Sequence, residues 1–356
     1  MVENAKKPPI KKYLPLFFVL AMLIVVIILI YVSLDQKNKC FTNTAKIFET
    51  QVSQTLCGDD AEKAAALAKE KISNLEDKIS YKIEGSDIER LNNAAGDQWV
   101  ELSEETIEIL GKLIGVSKIS SGVIDPTVLP LMLLWNFNGE QVYNPAADEI
   151  KNLLPYVDYN NIKINHGVNR VKIENKMTQI TFDAVKKGAA CKAAIDVYKD
   201  SKIDYGIVCV GETVGLYGSK HDGSPWKISI KNPFNDQDKN IAAIKVKDGF
   251  VSTFGAKEDK IKVDGKIYNK VLNAKTGYPA ENGMVCVTVL HSDPIIADAL
   301  AQLCCILGKD ESQDILSHYS AEAVFVDKEK NIYGTKNIEL NITVMDETYM
   351  LKSMGM

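Results

Sequence analysis

Near its C-terminal end the chain runs straight from an apolar strand, Met284 to Leu290, into an apolar helix from Asp293 to about Leu307. Apolar runs of this kind read as buried, the helix presenting an otherwise buried face. One acid, Asp298, stands near the start of this helix. A carboxylate on a buried helix face is costly unless it is paired or holds a cation, which makes Asp298 the best single candidate for a metal ligand. The plainer reading is an acid that complements the positive end of the helix. Lys275 to Gly283 precede the strand, with Gly277, Pro279 and Gly283 at spacings that favour a chain reversal.

The rest of the chain supplies what would cover that pair. Apolar Ala61, Ala65, Ala68, Ile72 and Leu75 recur at helical spacing and predict a helix over 59–75. Ser86 is placed to cap a short helix through Asn92, and Ser103, followed by Glu104 and Glu105, opens another running to about Ile119. Alternation at Ile162/Ile164, Val171/Ile173 and Ile180/Phe182 predicts a β-meander, and Asp183 opens a helix to about Tyr198. Further strands are expected at 206–210, 213–217, 226–230, 241–246, 250–253, 260–263, 266–272, 323–326, 332–333 and 339–344. Helices mixed with mostly antiparallel strands give an α+β class, with packed helices on mixed, mostly antiparallel sheets.

With 356 residues, 46% hydrophobic and 25% charged, the chain is long and apolar enough for a sizeable core, and its net charge of -5 argues against a nucleic-acid partner. Lys6, Lys7, Lys11 and Lys12 precede a charge-free apolar run, residues 13–34. That length spans a bilayer as a helix and lacks a small-residue cleavage site. It predicts an uncleaved single-pass signal-anchor in the cell membrane, with residues 1–12 cytoplasmic, 35–44 a linker, 45–345 an extracytoplasmic domain and 346–356 a tail. Seven cysteines show no paired metal spacing, and most sit in apolar runs as small core residues. An odd count argues against a full disulfide framework and leaves open a single pair such as Cys40 with Cys57.

Several segments, in order, resemble the FAD:protein FMN transferases, the ApbE-like flavin transferases, over residues 45 to about 335. They are Ser80 with Ser86 to Asn92; Asp125-Pro126-Thr127 through Leu131 with Trp135 and Phe137; Asp183 to Gly188; Asp222 to Ile228; Thr276 to Gly283; and Ala297-Asp298-Ala299-Leu300-Ala301. The resemblance implies the fold of that family. It also implies Mg²⁺-dependent transfer of FMN from FAD to a Thr or Ser hydroxyl of a partner redox protein, with release of AMP. It places the metal on Asp298, Gln302 and the backbone carbonyl of Ala184, and spacing i, i+4 puts Asp298 and Gln302 on one helix face. It sets Asp125, Thr127, Thr181 and Lys187 against flavin or phosphate, and Leu272 and Thr276 on the nucleotide side.

The family pattern H-x-x-D-P-x-T-G reads Lys270 to Gly277 here, with Lys270 and Asn273 in place of His and Asp. Lys270 joins Asp298 as a candidate catalytic residue, able to bind phosphate as a point charge. Trp135 and Phe137 read as core aromatics, and the histidines 166, 221, 291 and 318 sit in turn-like contexts or near a helix end. Two other outcomes fit the same residues: a family member that binds flavin without transferring it, and a pyrophosphatase that splits FAD to FMN and AMP.

Overall fold

A computed structural model describes residues 22–24, 26, 40–137, 142–234, 239–256, 259–263 and 265–354. The expected membrane segment 13–34 and its basic flank lie almost wholly outside the described residues. Among the described residues no helix is long and apolar enough to cross a membrane.

The centre is a nine-stranded sheet whose spatial order follows the chain: β1 (Cys40–Ile47), β2 (Thr50–Cys57), β3 (Tyr205–Val210), β4 (Thr213–Gly218), β5 (Gly249–Phe254), β6 (Met284–His291), β7 (Glu322–Asp327), β8 (Asn331–Gly334) and β9 (Met350–Ser353). Neighbours pair antiparallel except β8 with β9, which are parallel. Successive side chains on a strand face opposite sides. On β5, Phe250 and Phe254 therefore join the larger apolar cluster under the helices, while Val251 joins a second cluster on the other side.

Four helices carry the larger cluster: α1 (Ala61–Ile79), α2 (Glu104–Ile119), α3 (Lys186–Lys199) and α4 (Pro294–Leu307). Each starts where its sequence dictates. The Ser103 hydroxyl accepts the Thr106 N–H at 3.3 Å, and the Asp293 carboxylate accepts the N–H groups of Ile295 and Ile296, with Pro294 in the first turn of α4. All of α4 from Pro294 to Ile306 except Gln302 is buried. On the opposite face of the sheet lies a three-stranded sheet of Trp226–Lys231, Asn240–Val246 and Ile342–Val344.

Local departures from the sequence reading have local causes. The expected linker 35–44 already contains β1, because Cys40 to Ile47 pair residue for residue with Thr50 to Cys57. That register sets Cys40 opposite Cys57, and the two form a disulfide. The first helix continues four residues past Leu75, burying Ile79. Ile180 to Phe182 is no third meander strand: the Ile180 N–H goes to the Asn92 side chain and the Thr181 N–H to the Pro126 carbonyl, so loops take the bonds a ladder would use. The helix expected from Asp183 begins at Lys186, and the tail run 339–344 splits into a helical turn, Lys336–Glu339, and a short strand.

One buried acid fastens the loops around α2. Asp87 accepts hydrogen bonds from the Thr106 hydroxyl (2.6 Å), the Ser103 N–H and hydroxyl, and Arg90. Burial would raise its pKa, but these donors outweigh burial and hold it below the ordinary carboxylate value. Asp87→Ala is expected to cost about 2 kcal/mol in urea unfolding at neutral pH, since it takes the acceptor from the Ser103 N–H and leaves the Ser103 and buried Thr106 hydroxyls only each other. The lowered folded-state pKa fixes the sign: the cost is full above the unfolded-state value and shrinks as pH falls through the folded one.

Candidate functional site

Every odd-to-even connection of the sheet up to β8 lies at one end, and the site is built there. The β1–β2 turn contributes Phe48 and Glu49, both at positive φ (55° and 61°). The β3–β4 turn, Gly211 and Glu212, lies at the same end behind the site, bonded back to β2 and on to β5 through Gly211 N–H to Gln51 and Thr253 N–H to Glu212. The β5–β6 connection spans 255–283, and the long β2–β3 excursion returns to the same end through residues 123–128 and 181–188. These segments enclose a cavity of ≈240 Å³ lined by Ile124, Asp125, Val128, Met132 and Phe137 on one side, and by Thr181, Asp183, Ala184, Lys186 and Lys187 on another. Asp259, Lys270, Leu272 and Gln302 complete the wall.

Asp298 lies beneath this wall at 4% exposure, at the junction of α3 and α4. Its Oδ2 accepts the Gly188 N–H at 3.0 Å, and its Oδ1 accepts the Ser252 hydroxyl at 2.8 Å and the Thr213 hydroxyl at 3.3 Å. Burial pushes its pKa up, opposed first by the charge of Lys187 and then by these hydrogen bonds. α3 and α4 come this close because position 188 has no side chain: a Cβ there would sit 2.1 Å from the Pro294 carbonyl oxygen.

One turn along α4, Gln302 reaches the loop ahead of α3, where its Nε2 donates to the Ala184 carbonyl at 2.9 Å. The amide is planar, so a half-turn places Oε1 where Nε2 now sits. Two oxygens at that separation match the edge of an octahedral Mg²⁺ shell with metal–oxygen bonds of ~2.1 Å. A carboxylate, an amide oxygen and a peptide carbonyl are also the hard donors that such a cation prefers. The residues present therefore fit a divalent cation. Among the described residues no three His, Cys, Asp or Glu side chains cluster as metal ligands, so any site here depends on neutral oxygens.

The other sequence-chosen residues divide into wall and foundation. Lys187 lines the cavity with its Nζ 3.8 Å from Asp259 Oδ1, and Lys270 lines it too, its N–H donating to the Asp259 carbonyl at 2.6 Å. Asp125 faces the cavity, but its carboxylate accepts from the Thr127 N–H and hydroxyl and from the Tyr159 N–H; burial nevertheless pushes its pKa up. Thr127 is buried behind it and serves that bond. Thr181 lines the wall, its hydroxyl accepting the Asp183 N–H, and Leu272 supplies apolar surface. Thr276 stands outside the cavity in the exposed turn, where its hydroxyl accepts the Tyr278 N–H. Trp135 is a core aromatic as expected, its Nε1 donating to the Gly277 carbonyl, whereas Phe137 is both buried and part of the wall.

Sequence reading missed Asp259, Thr213, Ser252 and the Phe48–Glu49 turn. Asp259 sits in a run of charged residues that reads as solvated surface, and nothing local marks it as buried. Thr213 and Ser252 become visible only through the β4–β5 register, which sets them opposite each other.

The comparisons with known proteins agree with this architecture. The ApbE family model matches residues 48–325. FAD:protein FMN transferases of Treponema pallidum and Escherichia coli K12 are each 24% identical, over 77% of this chain and 80% of theirs, and 86% and 92%, respectively. The crystal structure of the ApbE protein from Thermotoga maritima superposes with a TM-score of 0.76 at 27% identity, covering 85% of this chain and 99% of that one. The apo flavinyl transferase ApbE of Pseudomonas stutzeri gives 0.74 at 24% identity, covering 84% and 95%, and bears on the fold alone. By fold, by the order of its motifs and by the match over most of its length, the chain belongs to the ApbE family.

Proposed function

We propose that this protein is an FAD:protein FMN transferase that moves FMN from FAD to a Thr or Ser hydroxyl of a partner redox protein and releases AMP. The observation that carries the reading is the stack beside the cavity: buried Asp298, Lys187 against the wall, and the Gln302–Ala184 pair at 2.9 Å. Asp298, Gln302 and the Ala184 carbonyl would hold Mg²⁺, which when bound supplies charge neutralisation at the diphosphate. Lys187 and Lys270 add positive charge on the same wall and hold the diphosphate against the site. Val128, Met132, Phe137 and Leu272 offer apolar surface to the flavin ring, and Asp125, pinned by Thr127 and Tyr159, fixes the loop that carries part of it. Thr181 completes the cofactor wall, and Thr276 shapes the turn on the nucleotide side.

The acceptor oxygen attacks the phosphorus of the FMN half; the P–O bond to the AMP half breaks and AMP leaves with the bonding pair. Positioning and charge neutralisation account for most of such catalysis. We place the domain outside the cytoplasm, anchored by residues 13–34; the Cys40–Cys57 disulfide supports this, since such bonds persist in oxidising compartments.

Purified protein incubated with FAD, Mg²⁺ and a flavinylatable acceptor is expected to give acceptor fluorescence that survives denaturing electrophoresis. Free FMN and AMP with an unlabelled acceptor, or FAD bound and intact, would refute the transferase reading.

A further inference from the structure

Deprotonating the attacking hydroxyl requires a base within reach of the cavity, and the wall offers few. Among the described residues no histidine lines it, and its carboxylates are Glu49, Asp125, Asp183 and Asp259. Two of these are held at both oxygens, and a third, Asp183, is closed at one oxygen by a short ion pair. Both oxygens of Glu49 accept from Lys82, at 2.9 and 3.0 Å. Asp125 is held at both oxygens by Thr127 and Tyr159, and Asp183 Oδ1 takes Lys186 at 2.5 Å.

Asp259 differs. Its Oδ2 accepts the Gly255 N–H at 3.0 Å, which fixes the carboxylate plane, while Oδ1, among the described residues, is ion-paired with Lys187 Nζ at 3.8 Å, longer than a hydrogen bond. Lys187 is the same cation that faces Asp298, so Oδ1 lies next to the wall where the diphosphate would be neutralised.

We propose that Asp259 is the catalytic base that accepts the proton of the attacking hydroxyl, a role that rests on the transferase reading above. The acceptor O–H bond breaks as its oxygen bonds to phosphorus, the proton passes to Asp259 Oδ1, and the electron pair of the broken P–O bond leaves with AMP. A proton from Asp259 to the departing phosphate or to water then restores the carboxylate.

Burial raises the Asp259 pKa, strengthening it as a base; Lys187, the Gly255 N–H and Lys270 oppose that rise and Glu212 adds to it. The carboxylate must be ionised to act, so turnover rises with pH through its folded-state value.

The test compares the full chain with Asp259→Asn, which keeps the shape and an oxygen for the Gly255 N–H. Acceptor labelling by wild type establishes the reaction; its absence sinks the transferase reading and this one with it. Given labelling, Asp259→Asn is expected to lower kcat by roughly 100- to 10,000-fold and to remove the acid limb of its pH profile, with FAD affinity, read by flavin fluorescence, within a few-fold of wild type. A variant that keeps kcat and the acid limb while FAD binding weakens would show that Asp259 only pairs with Lys187, and would overturn the proposal. If Asp259→Asn fails to fold, wild type decides: a kcat that stays flat down to the acid limit of stability overturns the proposal, and an acid limb displaced in Asp259→Glu supports it.

Discussion

Asp298→Asn is expected to abolish FMN transfer while leaving the fold more stable at neutral pH than wild type. The transfer loss follows from charge: an amide in place of the carboxylate removes the only anionic donor of the proposed cation set, worth on the order of 1000-fold or more in kcat. The gain in stability follows from the environment. Burial raises the folded-state pKa of Asp298 above its ordinary value despite Lys187 and three hydrogen bonds, so the folded protein holds its proton more tightly than the unfolded chain. Stability must then fall as pH rises from the unfolded-state value through the folded one, and the wild type bears this cost in full only above the folded-state value. Asparagine never ionises. Its oxygen still accepts the Gly188 N–H, and the Ser252 and Thr213 hydroxyls turn to accept from its NH₂. Urea titrations of both proteins across pH should show curves that separate as pH rises and meet in acid. A variant less stable than wild type at neutral pH would show that the ionised carboxylate supports the fold. Asp298→Ala is a different experiment: it strands the Gly188 N–H and two hydroxyls, and is expected to destabilise by about 3 kcal/mol or more.

Gly188→Ala is expected to be among the most damaging single methyl additions at the described glycines. The added Cβ would meet the Pro294 oxygen at 2.1 Å, the Pro294 carbon at 2.6 Å and the Ile295 nitrogen at 3.0 Å, all backbone atoms that no rotamer change can move. Relief requires α3 and α4 to part, which breaks the Gly188 N–H bond to Asp298 and opens the larger apolar cluster. Overpacking alone typically costs 1–3 kcal/mol (roughly), and a backbone-to-backbone clash lies above that range. Thermal melts should show either loss of the cooperative transition or a large fall in Tm. As a control, Gly111→Ala, at a half-buried position of α2 with nothing within 4 Å of the new methyl, should raise Tm slightly.

These two positions show which parts of the molecule were legible from residues alone. Asp298 stood out because an acid in an apolar helix conflicts with burial, and the same conflict fixed its place in the core. The caps at Ser86 and Ser103 were legible because a short oxygen-bearing side chain ahead of a helical run has a specific task. The strands Trp226–Lys231 and Asn240–Val246 were readable as strands but not as members of a second sheet, since alternation reports one buried face and not what covers it. Asp259 was invisible for a related reason: its burial comes from the tertiary path of the 255–283 connection, and the charged residues around it give no periodic signal.

The sheet in which strands lie side by side in chain order bears on how the chain folds as well as on where its site lies. Three neighbouring pairs, β1–β2, β3–β4 and β7–β8, are joined by connections of two or three residues and pair at little loop-closure cost, so they are expected to zip early. The others are β2 with β3, separated by residues 58–204, and pairs joined by shorter excursions before β5, β6, β7 and β9. Much of the cavity wall is carried on the first of these and on the β5–β6 connection. The site is thus assembled by the contacts of highest sequence separation, and binding competence should be the last property to appear in refolding. Stopped-flow traces should show sheet signal first and recovery of flavin binding after it.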